Sequence, residues 1–178
     1  MGLGKTNKRK GSDAERLYAK IFRDLGFGHC ETSRFASKKH DNAKIDLVYI
    51  PFNVQIKAGK QKNMNAGKEL LFMHTCIHTM FPVGDVVFNK PLILIHHEEV
   101  GRGHKRLPEN QRVYMSLEQF DLFNSLGSKL EYQGLKSFKF DLQSEFKTIV
   151  NVTFENFKNE VILKHYNQNG TNSNTTGR

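Results

Sequence analysis

Between Ala43 and Gly59 the chain reads AKIDLVYIPFNVQIKAG. The stretch divides into two short strands, Ile45 to Ile50 and Asn53 to Ile56, both rich in β-branched and aromatic residues. Pro51 has no N–H for a sheet ladder and marks the turn between them. A two-residue turn of Pro51 and Phe52 pairs Ile50 with Asn53, Val48 with Gln55, and Asp46 with Lys57. Side chains alternate faces along a strand, so this register gathers Asp46, Gln55 and Lys57 on one face. Ile45, Leu47, Tyr49, Val54 and Ile56 fall on the other, which is the expected core face. A bulge or an odd connection would break the arrangement.

A carboxylate and a carbonyl oxygen at cross-strand separation can share a hard divalent cation. A lysine beside them can contact a phosphate or orient an attacking water. Together they carry the parts of metal-assisted phosphodiester hydrolysis. The plain alternative is a surface Asp–Lys cross-strand pair, worth under about 1 kcal/mol.

Charge distribution favours the chemical reading. The chain of 178 residues has a net charge of +9, a pI near 9.6, 14 Phe and no Trp. Such a basic excess suits a polyanion, most simply nucleic acid. From Arg34 to Lys68 there are eight Lys or Arg and only two acids, Asp41 and Asp46. A basic footprint around a small acidic centre is what a nuclease needs, although a solvated lysine-rich face has the same composition. No apolar run is long enough for a membrane span, and no signal-peptide core opens the chain. Two cysteines, Cys30 and Cys76, do not make a disulfide framework, and a reducing, cytoplasmic setting is expected.

Outward from the hairpin, residues 1–11 (MGLGKTNKRKG) read as a basic flexible arm carrying Lys8, Arg9 and Lys10. Gly-Leu-Gly-Lys-Thr within it lacks the earlier glycine and preceding strand of a phosphate-binding loop. Ser12 to Leu25 has helical apolar spacing, with Ser12 and Glu15 in capping-box positions and Gly26 as the stop. His29 to Phe35 reads as a strand and Ser37 to Asn42 as a polar loop. Met64 to Met80 reads as a helix. On it His74 and His78 have zinc-compatible spacing, but no third ligand is evident. Asp85–Phe88, Leu92–His96 and Val113–Met115 read as strands, with the second central. Residues 97–111 form a polar loop holding His104, Lys105 and Arg106. Ser116 and Gln119 cap a short helix ending at Gly127. Lys136–Leu142 and Phe146–Phe154 read as an edge hairpin, Glu155–His165 as a last helix, and 167–178 as a disordered polar tail. Residues 12–166 are expected to form a single domain.

The order of basic KRKG, helix with Glu15, strand, strand with Asp46, strand with Gln55-Ile56-Lys57, then helix resembles the PD-(D/E)xK nuclease superfamily. Lys8 to Arg16, KRKGSDAER, is similar to the start of archaeal-type and phage Holliday junction resolvases. The resemblance covers roughly residues 8–96 and rests on order and spacing more than on any single motif. It implies an α/β, restriction-endonuclease-like core: a central mixed sheet flanked by helices, with extra C-terminal β/α elements. It implies catalytic positions at Glu15, Asp46, Gln55 and Lys57. Mg²⁺ or Mn²⁺ would be held by Asp46, Gln55, the Ile56 carbonyl and Glu15. Ile45 replaces the motif's proline. Gln55 stands where an acid is usual, offering a neutral carbonyl oxygen, and Asp41 is the nearest spare acid. Similar glutamine variants suggest a phage or bacterial source. Arg34, Lys38, Lys39, Lys60, Lys62 and the basic arm would hold DNA phosphates, and paired cuts in a junction imply a homodimer. A duplex-cutting restriction or repair nuclease, and a non-catalytic DNA-binding protein with a decayed site, are the rival expectations.

Overall fold

The computed structural model describes residues 3–60, 64–98, 111–137 and 148–166. Its strands are β1 (Glu31–Thr32), β2 (Leu47–Val48), β3 (Asn53–Gly59), β4 (Leu92–Glu98), β5 (Gln111–Ser116), β6 (Gly134–Ser137) and β7 (Thr148–Thr153). Among the described residues these form one mixed sheet of order β1-β2-β3-β4-β5-β7-β6. β3 and β4 run parallel, and every other neighbouring pair is antiparallel. The parallel pair needs a crossover. Helix α4 (Ala66–Met80) and a 3₁₀ turn at Val86–Asn89 supply it.

Helices cover both faces, which makes the central strands apolar on both sides. On one face Leu47, Val54, Ile56, Ile93, Ile95, Val113 and Met115 pack with Tyr18 and Phe22 of helix α1 (Leu3–Asp24). Phe120 and Phe123 of helix α5 (Leu117–Ser125) join the same cluster. So do Phe157, Val161 and Ile162 from helix α6 (Phe154–Phe157) and the π-helical segment Lys158–Tyr166. On the other face Leu92, Leu94 and Tyr114 pack with Leu70, Met73 and Ile77 of α4. The C-terminal segment also reaches the β2–β3 connection, where the Phe52 ring lies 5.5 Å from Phe157 and 4.9 Å from Tyr166.

Several expected elements are present with shifted bounds. Helix α4 is capped by Asn65, whose side chain accepts from Lys68 N–H. Helix α5 opens on Ser116, whose hydroxyl accepts from Gln119 N–H, and stops at Gly127 with φ 95°. β4 is central, and β7–β6 lies at the sheet edge.

Others differ. Helix α1 starts at Leu3, so residues 3–11 are its first turns instead of a flexible arm, and Ser12 is interior, not an N-cap. The strand expected from His29 shrinks to β1. Ser33–Ala36 instead forms helix α2, and the expected polar loop contains helix α3 (Lys38–Asn42), capped by Ser37. Alternation in the sequence could not reveal these turns, because each is only four or five residues long. Asp85 caps the 3₁₀ turn through Val87 N–H instead of opening a strand. Lys62, the side chain of Lys8, residues 99–110, residues 138–147 and the 167–178 tail lie outside the described residues.

Candidate active site

The register of the central hairpin departs from expectation by two residues. Leu47 pairs with Val54, so Asp46 comes level with Gln55 instead of Lys57, and the connection spans Tyr49–Phe52. An even shift keeps Gln55 and Lys57 on a common face. Face alternation fails on the other strand. Ile45 enters the α4 cluster, Leu47 enters the α1 cluster, and Tyr49 is 62% exposed. Tyr49 is thus no core residue.

The cause lies at Asp46. Its N–H donates to Val54 O at 2.7 Å, and its carbonyl accepts from Ser33 N–H at 2.9 Å. Its carboxylate Oδ2 accepts from Ile56 N–H at 2.6 Å. A side chain therefore takes the place of a ladder carbonyl, turning the carboxylate into the plane of the sheet beyond the end of β2. Lys44 (φ 65°) and Tyr49 (φ 62°) occupy the left-handed region on either side. That conformation costs a non-glycine residue of order 1 kcal/mol or more. The N–H and C=O of one strand residue leave on the same side, so the Ile56 carbonyl also faces Asp46.

The remaining side chains arrive from different elements. Gln55 is 3% exposed, and its Oε1 is buried with no hydrogen-bond partner. Such an orphan costs roughly 1–3 kcal/mol. Lys57 follows on the same face of β3, with Nζ 2.9 Å from Glu69 Oε2 in the first turn of α4. From the opposite face α1 contributes Glu15, buried, with Oε1 accepting from Arg34 Nη2 at 3.0 Å. Arg34 also donates to Ser12 Oγ at 2.9 Å and lies 3.6 Å from Asp41 Oδ1.

Burial raises the Asp46 pKa to about 7. The Ile56 N–H opposes the rise, neighbouring Glu15 adds to it, and Lys57 and Arg34 counter it. The residue keeps some exposed surface, but its carboxyl group is enclosed. Glu15 is likewise raised by burial, with Arg34 pulling it back.

Of the expected site residues, Asp46 and Ile56 meet through a hydrogen bond, Gln55 comes level with Asp46 in the register, and Lys57 and Glu15 act electrostatically on Asp46. Glu15 does not serve as a capping-box residue. Asp41 joins the Arg34–Glu15 group. Arg34, expected as a phosphate contact, is bonded to Ser12 and Glu15. Arg9 and Lys10 are exposed on α1, Lys38 and Lys39 on α3, and Lys60 just beyond β3. Lys39 Nζ also stands 4.3 Å from the centre of the Phe81 ring. The residue missed from sequence is Glu69. An acid in the first turn of a helix reads as a dipole partner, and only the packing of α4 against β3 and β4 brings it to Lys57.

Among the described residues no group of three or more His, Cys, Asp or Glu gathers to hold a metal. His74 and His78 have ring centroids 4.2 Å apart but belong to no such group. The oxygens available on Asp46 and its neighbouring residues are the Asp46 carboxylate, the orphan Gln55 Oε1 and the Ile56 carbonyl. That chemistry fits a hard divalent cation that retains several waters. Among the described residues no helix is long and apolar enough to cross a membrane. No protein-family model, curated protein or solved structure matches the chain.

Proposed function

We propose that the chain is a metal-dependent DNA endonuclease, and more narrowly a structure-selective enzyme that cuts four-way junctions as a homodimer. The observation that carries the reading is the Asp46 carboxylate seated on Ile56 N–H at 2.6 Å, with Gln55 of β3 level with Asp46, its Oε1 buried and unpartnered, and Lys57 acting electrostatically on Asp46. The order α1-β1-β2-β3-α4-β4, antiparallel through β3 and then parallel, supports it, because the nuclease resemblance implies that order. So does the basic surface of Arg9, Lys10, Lys38, Lys39 and Lys60.

In this reading Asp46, Gln55 Oε1 and the Ile56 carbonyl hold Mg²⁺ or Mn²⁺. Glu15 adds negative charge beside them. When bound, the ion supplies Lewis-acid polarisation of the phosphate and a bound water of lowered pKa. Lys57 donates toward the scissile phosphate and balances charge that grows on its oxygens. Glu69 holds Lys57 Nζ on the α4 side until DNA offers a competing anion. Water oxygen bonds to phosphorus, the bond to the 3′ oxygen breaks, and that oxygen takes up a proton. The products are a 5′-phosphate and a 3′-hydroxyl.

The test is cleavage of an end-labelled four-way junction with Mg²⁺ or Mn²⁺, beside a linear duplex of the same sequence. Paired symmetric nicks that vanish in Lys57→Ala support the reading. Equal cutting of the duplex redirects it to a restriction or repair enzyme. A non-catalytic DNA-binding protein is the second reading, favoured by the neutral Gln55 and by the ion pair that already neutralises Glu15. Salt-sensitive junction binding without cleavage under either metal would select it.

A further inference from the structure

Helix α2 carries a feature that the hydrolytic centre does not use. Phe35 is 86% exposed, far more than the other described phenylalanines. It is held on a fixed mount. Its neighbour Ser33 is buried and donates its N–H to the Asp46 carbonyl at 2.9 Å. Ser37 N–H closes the turn on Ser33 O at 2.7 Å. Arg34, between Ser33 and Phe35, is bonded to Ser12 and Glu15. The ring thus stands two residues from a direct main-chain bond to Asp46.

The surroundings define what can cover it. Between Thr32 and His40 the chain contains Arg34, Lys38 and Lys39 and no acid; Lys38 and Lys39 are exposed, and Arg34 is paired with Glu15 and stands 3.6 Å from Asp41. A second copy packed on this patch through a two-fold axis would set the cations against themselves. A polyanion with flat apolar faces suits both halves of the patch: phosphates for the cations, a base for the ring. Stacked bases in an intact duplex cannot offer a face, whereas bases at a branch or in a single strand can.

We propose that Phe35 is a stacking site for an unpaired or splayed nucleobase of DNA bound at the Asp46 centre. It gives the enzyme its preference for branched over continuous duplex DNA. The inference rests on the nuclease reading and adds a specificity residue to it.

The experiment uses the full chain without divalent metal, so that DNA stays uncut. The probes are a four-way junction with 5-iodouracil at the branch and a linear duplex carrying the same base. Binding is titrated for wild type, Phe35→Ala and Phe35→Trp, followed by photocrosslinking and peptide mapping. The expected result is a crosslink at Phe35 from the junction only. Phe35→Ala should weaken junction binding roughly tenfold and duplex binding less than twofold, while Phe35→Trp restores the junction preference. Equal effects on both DNAs, or unchanged junction binding by Phe35→Ala, overturn the stacking site and leave the nuclease reading intact. Absence of salt-sensitive binding by wild type overturns both. The exposure of Phe35 keeps either variant from disturbing the core.

Discussion

The N–H of Ile56 donates to the carboxylate of Asp46 at 2.6 Å, so an acidic side chain stands in for a backbone carbonyl in the sheet. The same residue is therefore structural and, in the reading proposed above, chemical. Asp46→Asn separates the two, because an amide oxygen still accepts from Ile56. Cleavage should fall by at least roughly 10²-fold, the order seen when one electrostatic partner of a transition state is lost. Thermal stability at neutral pH should hold or rise. Junction cleavage rates and melting curves of the variant check both.

The raised Asp46 pKa gives the metal-free protein a pH-dependent stability. A carboxyl with pKa 3.8 unfolded and about 7 folded binds more protons in the folded state between those values. Stability then falls as pH rises from about 4 to about 7. Glu15, also raised, acts in the same direction. Denaturant unfolding at pH 5 and pH 8 in chelator should give the lower stability at pH 8, with a smaller difference in Asp46→Asn. An equal difference in both proteins would refute the assignment to Asp46.

Gln55 Oε1 is the other half of the donor set. Gln55→Glu puts a second carboxylate beside Asp46 in an enclosed site. Without metal the variant should be less stable than wild type, because like charges repel and one must take up a proton. With Mn²⁺ it should bind the ion roughly tenfold more tightly and regain the lost stability by linkage. Calorimetric titration with Mn²⁺ and melting with and without the ion measure this. Weaker Mn²⁺ binding than wild type would remove Gln55 from the site.

Glu69→Gln tests the arrangement of Lys57. The pair is partly exposed, with relative side-chain exposures of 38% and 30%, so its loss should cost under about 1 kcal/mol of stability. If Glu69 positions Lys57, kcat should fall several-fold while KM for the junction changes little. A purely structural pair would leave kcat unchanged.

Arg34→Ala leaves Glu15 buried on α1 without its guanidinium partner. The expected loss is about 1–3 kcal/mol, discounted from the figure for a wholly buried pair because Arg34 itself is partly exposed. Adding Glu15→Gln should recover much of it. Urea unfolding of the single and double variants measures the coupling.

The placement of the candidate site's central residues could be read from sequence because it depends on local order. Asp46 and Gln55-Ile56-Lys57 are separated by a single turn, and an error of two residues in that turn left the face of Gln55 and Lys57 unchanged. The face of Ile45 and Tyr49 was not legible, since the side-chain bond from Asp46 to Ile56 breaks the alternation. Glu69 and the Arg34–Glu15 pair were hidden for a different reason. They meet through packing of separate elements, and no spacing in the chain records that α4 comes to lie beside Lys57. The helical start at Leu3 was masked by a Gly- and Lys-rich stretch that carries no apolar stripe.

Phe52, in the connection between β2 and β3, rests against Phe157 and Tyr166. This sets an order of events during synthesis. The turn that aligns Asp46 with Gln55 gains its aromatic support only when the final helix has been made. At about 5–20 residues per second, the roughly 110 intervening residues correspond to a delay of about 6–22 s. A nascent chain would therefore carry Asp46 and Gln55 without the clasp that supports the turn between them. That turn would be fastened only once Phe157 and Tyr166 have been made and have folded back onto Phe52.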